Sequence, residues 1–270
     1  MKSRRIGILV SAIGTMLAAI ALLASSALGA PKEGYERFAG CPEGNAEVFL
    51  CQRVNIHGGH FKMGSKDVPI TNPIVLSGGL KLSGEIIFNS QGGLSKARQP
   101  IPGGLIGLTG LDSLLKALKA ELLQVFAVTE LAGTPFIKEG GQEAELPIKV
   151  HLESPLLGNN CYVGSNTEPI NLNMTLGTTA PPKPNEPISG EEPVEGPSDL
   201  EGVLLLENGL YVDNSFAAPA ASGCVLNLGL IPLNIDAVVN LQSGLPAKAG
   251  TNETKQIFDL EVVSPETVYP

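Results

Sequence analysis

The chain has 270 residues, 43% of them hydrophobic and only 4% aromatic, with no tryptophan and a formal net charge of −9. A field this acidic argues against binding nucleic acid or an anionic membrane surface, and the scarcity of aromatic rings argues against recognising polysaccharide by stacking. The length is enough for a sizeable core, as one large β domain or two small ones.

Residues 1–30 read as a targeting segment. Lys2, Arg4 and Arg5 precede an apolar run from Ile6 to Leu23, and Ser25, Ser26, Ala27, Gly29 and Ala30 supply the small residues of a signal-peptidase site. An N-terminal signal helix is therefore expected. If it is retained it becomes an anchor with the remainder outside, which is the one circumstance in which a membrane is a partner. Cleavage removes three basic residues and no acidic one, taking the charge from −9 to −12.

Export makes the four cysteines two disulfides, because oxidising compartments let such bonds persist. Three pairings are possible. The preferred one joins Cys41 to Cys51, near neighbours in sequence, and Cys161 to Cys224, across a proline-rich stretch. A four-cysteine zinc site is the competing reading, and it lacks the close C-x-x-C pairs such sites use.

After the signal, 31–177 reads as a β-rich region. Its first strand is expected over 46–56, running into His57-Gly58-Gly59-His60. Two histidines three apart, with His151 further on as a third ligand, form the only grouping here with metal-site character. The ordinary reading of the same residues is a polar hairpin turn on Gly-Gly. Strands are expected over 68–76 and 80–89, with Gly84 as a bulge in the second. A short amphipathic helix is predicted near 110–122, from Leu111, Leu114, Leu115, Leu118 and Leu122, with Thr109 and Asp112 at its N-terminal cap. Ser113 and Lys116 match an S-x-x-K spacing, without the S-D-N and K-T-G elements of that active site.

An extended stretch at 123–132 leads to the central strand, where Ile148, Val150 and Leu152 alternate with Lys149, His151 and Glu153. A second alternation follows at Ile170, Leu172, Met174 and Leu176. Residues 178–199 hold six prolines and five acidic residues and read as an exposed loop or linker. The β-rich region 200–270, assigned to the same domain, contains Asn208-Gly209 as a hairpin signal and strands at 223–231, 233–242 and 255–263. Asn173 and Asn252 begin N-x-Thr sequons, relevant only in a glycosylating host.

The runs HLESPLLGNNCYVGS (151–165), GTTAPPKPNEPISG (177–190) and VDNSFAAPAASGC (212–224) resemble a family of secreted, signal-peptide-bearing actinobacterial proteins with no established activity. The likeness covers 123–230 well and the N-terminal third weakly. It implies an exported, mostly β protein in which Cys161 and Cys224 belong to the shared pattern.

The fold expected is mainly β, an antiparallel sandwich-like arrangement of about ten short strands with one helix. No G-x-S-x-G, H-E-x-x-H or glycine-rich phosphate loop is present, so no catalytic or cofactor-binding residue is named and no cofactor is expected. The function these features point to is a non-enzymatic exported protein binding an envelope or extracellular partner through the loops at the sheet ends and the apolar residues of 103–122. The alternatives are a secreted hydrolase using His57, His60 and His151 around a metal, which requires the three to meet, and a carrier of apolar ligands, which requires a lined cavity between sheet and helix.

Overall fold

The computed structural model describes residues 29–229 and 231–270. The basic and apolar run of the expected signal, within 1–28, lies outside the described residues, and among those described no helix is long and apolar enough to cross a membrane.

Ten strands carry the fold: β1 Val48–Met63, β2 Lys66–Pro69, β3 Ile74–Lys81, β4 Ile86–Ile87, β5 Phe126–Leu131, β6 Phe136–Lys138, β7 Glu143–Glu153, β8 Ile170–Thr175, β9 Leu204–Asp213 and β10 Glu253–Val263. All their pairings are antiparallel, in the order β7-β8-β9-β10-β1-β3-β4. β5 and β6 run in succession along the other edge of β7, interrupted around Gly133 to Pro135. The ends of this sheet meet. Glu85 bridges Phe136, the Ile86 N–H donates to the Pro135 carbonyl at 3.0 Å, and the Ile137 N–H donates to the Gly84 carbonyl at 2.8 Å. Counting β5 and β6 as one interrupted strand, the ring has eight members, a size whose interior is just filled by side chains or holds one small ligand. The mainly β, antiparallel expectation holds, with one curled sheet supplying both walls that face each other across the core.

Alternation explains the curl. In β7 every second residue from Ala144 to Leu152 is buried, and in β8 Ile170, Leu172 and Met174 are, so one face of each strand looks into the ring. β1 is long enough to reach both ends because it absorbs a bulge between Ile56 and Gly58. Gly59 follows at φ 101°, where an added Cβ would lie 1.9 Å from the Lys255 carbonyl oxygen, so β1 and β10 approach this closely only without a side chain. The His57–His60 stretch is thus bulged strand and not a hairpin turn.

Several expected elements take other forms. Gly84, at φ 96°, forms a tight turn between β3 and β4 and not a bulge. The helix expected near 110–122 is broken into α1 Gly104–Thr109, α2 Asp112–Leu115 and a 3-10 turn at Ala120–Leu123. Gly110 at φ 66° closes α1 in the left-handed conformation, and the Thr109 hydroxyl donates to the Leu105 carbonyl, so it finishes one helix instead of capping the next. The strand expected at 233–242 is largely a helix, α3 Asp236–Ser243: the Asn234 side chain accepts the Asp236 N–H and Gly244 ends it at φ 65°. Its Val238-Val239 pair has strand propensity, which packing of Val239 into the core overrides. Asn208-Gly209 makes no hairpin. β9 continues through it with a bulge, Asn208 at φ 59° and its N–H bonded to Asp259.

The proline-rich stretch is part of the wall. β8 meets β9 only at Thr175 and Val212. Beyond that point the Gly190 N–H donates to the Gly177 carbonyl, Glu191 bridges Leu210, and Val194–Gly196 pairs with 205–207. Composition had suggested a loop because few of its side chains bury, but a sheet wall is held by backbone groups, which six prolines do not exhaust. Asn185 donates from its amide to the carbonyls of Asn214 and Asn252, fixing the turn of the excursion.

Both disulfides have the preferred pairing, Cys41–Cys51 and Cys161–Cys224. The second lies in the main core, among Leu157, Val163, Ala221 and Leu226 at the end of the ring that α1 and α3 close. The first lies in a separate cluster on the outside of β1 and β10, where Phe38, Val203, Val268 and Tyr269 pack, and α4 Pro265–Val268 ties the C-terminus there. The Tyr269 hydroxyl donates to the Cys41 carbonyl at 2.7 Å.

Candidate apolar-ligand site

At the end of the ring opposite α1 and α3, the inward side chains do not meet across the axis. They leave an open cavity of about 980 Å³, the upper part of the range over which pockets take one drug-sized or lipid-like molecule. β1 and β10 form one wall with Leu50, Val54, Leu260 and Val262, and Leu206 of β9 continues it. Leu80 of β3 lies beside Leu50 in the same wall, and Phe136, Ile137 and Leu176 complete the lining. Leu82, 84% exposed, and Phe49 stand at the rim.

Tyr211 and Phe258, paired across neighbouring strands with ring centroids 4.7 Å apart and planes 17° from parallel, make the floor. The Tyr211 hydroxyl donates to the Gly141 carbonyl in the rim turn, and burial pushes that phenol up to about 12. Below the floor lie two smaller voids of about 50 Å³ each. Val54, Ile137, Tyr211 and Phe258 border the large cavity and the upper void, and Ile56, Leu94, Leu146 and Gln256 border both voids, so the three are stacked along the ring axis.

The polar groups of the cavity are few and differ in kind. Lys81 is held by Glu47 at 2.8 Å and Glu85 at 2.7 Å, which raise its pKa to about 12. Lys138 is held up in the same way by Glu145. Gln142 donates to Glu192 at 3.0 Å, and Glu143 also lines the opening. Gln52 stands apart from these. It is 3% exposed, lines the cavity, and its Nε2 has no hydrogen-bond partner. That nitrogen is turned into the protein and not toward the opening, and an unpaired buried amide costs about 1–3 kcal/mol.

The histidines do not form a site. His57 lies 3.3 Å from Asp259, and His60 sits between Asp67 at 2.9 Å and Glu253 at 3.2 Å. Both project from the outer face of β1, since Ile56 and Phe61 take the inner one. His151 projects from the outer face of β7, stacked on Tyr162 with centroids 4.4 Å apart. Three strands, β8, β9 and β10, separate β7 from β1 around that side of the ring. Among the described residues no group of three or more His, Cys, Asp or Glu is arranged to hold a metal ion. Ser113 and Lys116 are in and just after α2, away from the cavity lining. The sequon Asn252 is fully buried with its amide donating to the Phe216 and Lys248 carbonyls, whereas Asn173 is exposed on β8.

The residues 103–122, expected to offer a binding surface, mostly close the far end of the ring, where Leu105, Leu108 and Leu115 are buried. The cavity-lining set went unnamed in the sequence. Its signal was there in 255–263, where Gln256, Phe258, Leu260 and Val262 alternate as they would to fill a sandwich core. No protein-family model, curated protein or solved structure matches this chain.

Proposed function

We propose that this protein is an exported binder of an apolar small molecule, held in the open mouth of the eight-stranded ring. The observation that carries the reading is the cavity of about 980 Å³ with walls of leucine, valine, isoleucine and phenylalanine, larger than core packing leaves by accident. Export is supported by the two disulfides, by the leader-like residues 1–30 and by the resemblance to secreted actinobacterial proteins. The carrier alternative read from the sequence is the closest to this proposal, with the cavity inside the ring and not between sheet and helix. The hydrolase alternative required His57, His60 and His151 to meet, and they project outward from well-separated strands.

The test is binding of the neutral fluorophore N-phenyl-1-naphthylamine to the chain lacking residues 1–30. Saturable fluorescence enhancement is expected. Leu260→Trp or Leu206→Trp, each filling the cavity from its wall, should weaken binding roughly tenfold or more, whereas Ile257→Asn on the outer face of β10 should not. Circular dichroism and melting temperature identify variants that have lost the fold. Folded cavity variants that bind as well as the parent would overturn the proposal.

A further inference from the structure

Resting on that reading, we infer that the ligand is an apolar chain lying along the ring axis and that Phe258, backed by Tyr211, is the stop that fixes how far its tail reaches. The partition these two rings make is one side-chain layer thick. Phe258 is 3% exposed, yet with Val54, Ile137 and Tyr211 it borders the open cavity on one side and the upper void of about 50 Å³ on the other. A ring in a close-packed core has side chains against both faces. These two stand between one empty space and another, on a line with the second void below, and a chain can follow such a track where a bulky molecule cannot.

Strand register shows why the stop falls at this depth. Val262, Leu260, Phe258 and Gln256 descend the inward face of β10: the first two line the open cavity, Phe258 makes the floor, and Gln256 borders both voids below it. Their partners on β9 are, in the same order, Leu204, Leu206, Gly209 and Tyr211. At the level of Phe258 the neighbouring strand therefore offers no side chain. A Cβ added at Gly209 would lie 2.5 Å from Phe258 Cζ, so the ring takes the space over that glycine. Tyr211 is tied by its hydroxyl to the Gly141 carbonyl and holds its place beside the ring.

Without the Phe258 ring, the cavity continues into the upper void by one inward position of β10. Two residues of strand rise about 6.8 Å, which the strand tilt of a closed barrel reduces to about 5 Å along the axis, the length of about four methylenes. Ile56, Ile86, Leu146 and Met174 line that space, so a tail entering it leaves water for an apolar surface, as it does in the cavity above. Lys81, Glu143 and Glu192 line the opening, so a chain with one polar end keeps that end there and points its tail at Phe258.

The test measures displacement of N-phenyl-1-naphthylamine from the chain lacking residues 1–30 by the linear primary alcohols from hexanol to hexadecanol. Affinity is expected to rise about three- to fourfold per methylene up to a break, and to level off beyond it. Phe258→Ala should move the break about four methylenes longer, and Phe258→Leu, a milder change to the core, about two. Ala144→Leu, which fills the upper void, should leave the parent's break in place and, combined with Phe258→Ala, restore it. Circular dichroism identifies the variants that keep the fold. A break that stays put in a folded Phe258 variant, or a parent series without a break, overturns the length stop and leaves the apolar-binding reading standing. Absence of probe binding to the parent chain overturns both.

Discussion

Tyr211 shows how one side chain serves both the fold and the cavity. Its ring forms the floor with Phe258, and its hydroxyl holds the rim turn through Gly141. Because burial raises its pKa from 10.0 to about 12, the unfolded chain gives up this proton before the folded chain does. Between those values the native state binds more protons than the unfolded state, so stability falls as pH rises through the interval and is intact below it. Urea unfolding at about pH 9 and about pH 11 should therefore show a loss at the higher pH that is smaller in Tyr211→Phe than in the parent. An equal loss in both would place the alkaline sensitivity elsewhere. The same substitution removes the bond to Gly141, at a cost of about 1 kcal/mol, and should speed amide exchange in 138–142.

Among the elements, the disulfides differ in what they join. Cys41–Cys51 spans 10 residues and staples an external cluster, whereas Cys161–Cys224 spans 63 and ties the turn after β7 to the segment before α3. Chain-entropy reasoning assigns about 3 kcal/mol to the shorter loop and about 4 kcal/mol to the longer. The longer bond is also part of the main core, so its loss disturbs packing as well. Thermal unfolding should show a larger drop in melting temperature for Cys161→Ala with Cys224→Ala than for Cys41→Ala with Cys51→Ala. The reverse order would mean that the external cluster governs stability. Short-range signals around these elements were read correctly in kind and often wrongly in use: Asn208-Gly209 does need positive φ, at Asn208, but spends it on a bulge inside β9.

At the scale of the molecule, the ring is closed by contacts distant in sequence. β1, near the start of the described chain, lies between β3 and β10, and β9 and β10 from 200–270 complete the wall begun by β7 and β8. Neither 31–177 nor 200–270 has a closed sheet by itself, and 178–199 supplies the backbone between β8 and β9. One cooperative thermal transition is expected for the chain lacking residues 1–30, with the fragment 31–177 lacking β signal and cooperativity in circular dichroism. A folded fragment with its own sharp transition would show instead that the region is an independent domain.

The alternation of 148–152 and 170–176, the β character of the C-terminal region and the preferred cysteine pairing were legible because they depend on neighbours in the chain or on a short combinatorial choice. Period-2 patterning marks which face of a strand is apolar whatever that face later meets. It does not say whether the apolar faces touch. Leu260 and Val262 have the same pattern as Ile148 and Val150, yet the first pair lines an open cavity and the second a closed core that keeps only a small void. That difference arises from the circumference of the ring and from what closes each end: α1, α3 and a disulfide at one, only the turns after β3 and before β7 and the 192–193 segment at the other. The histidines were open for the same reason: the sequence puts His151 on the polar side of a strand and His57 and His60 on a polar turn, and only the fold, which makes that turn a bulged part of β1, turns all three outward on separate strands. Which faces are apolar was a property of the sequence. Whether they enclose a core or a binding space was decided by how many strands meet and where the ring is left uncapped.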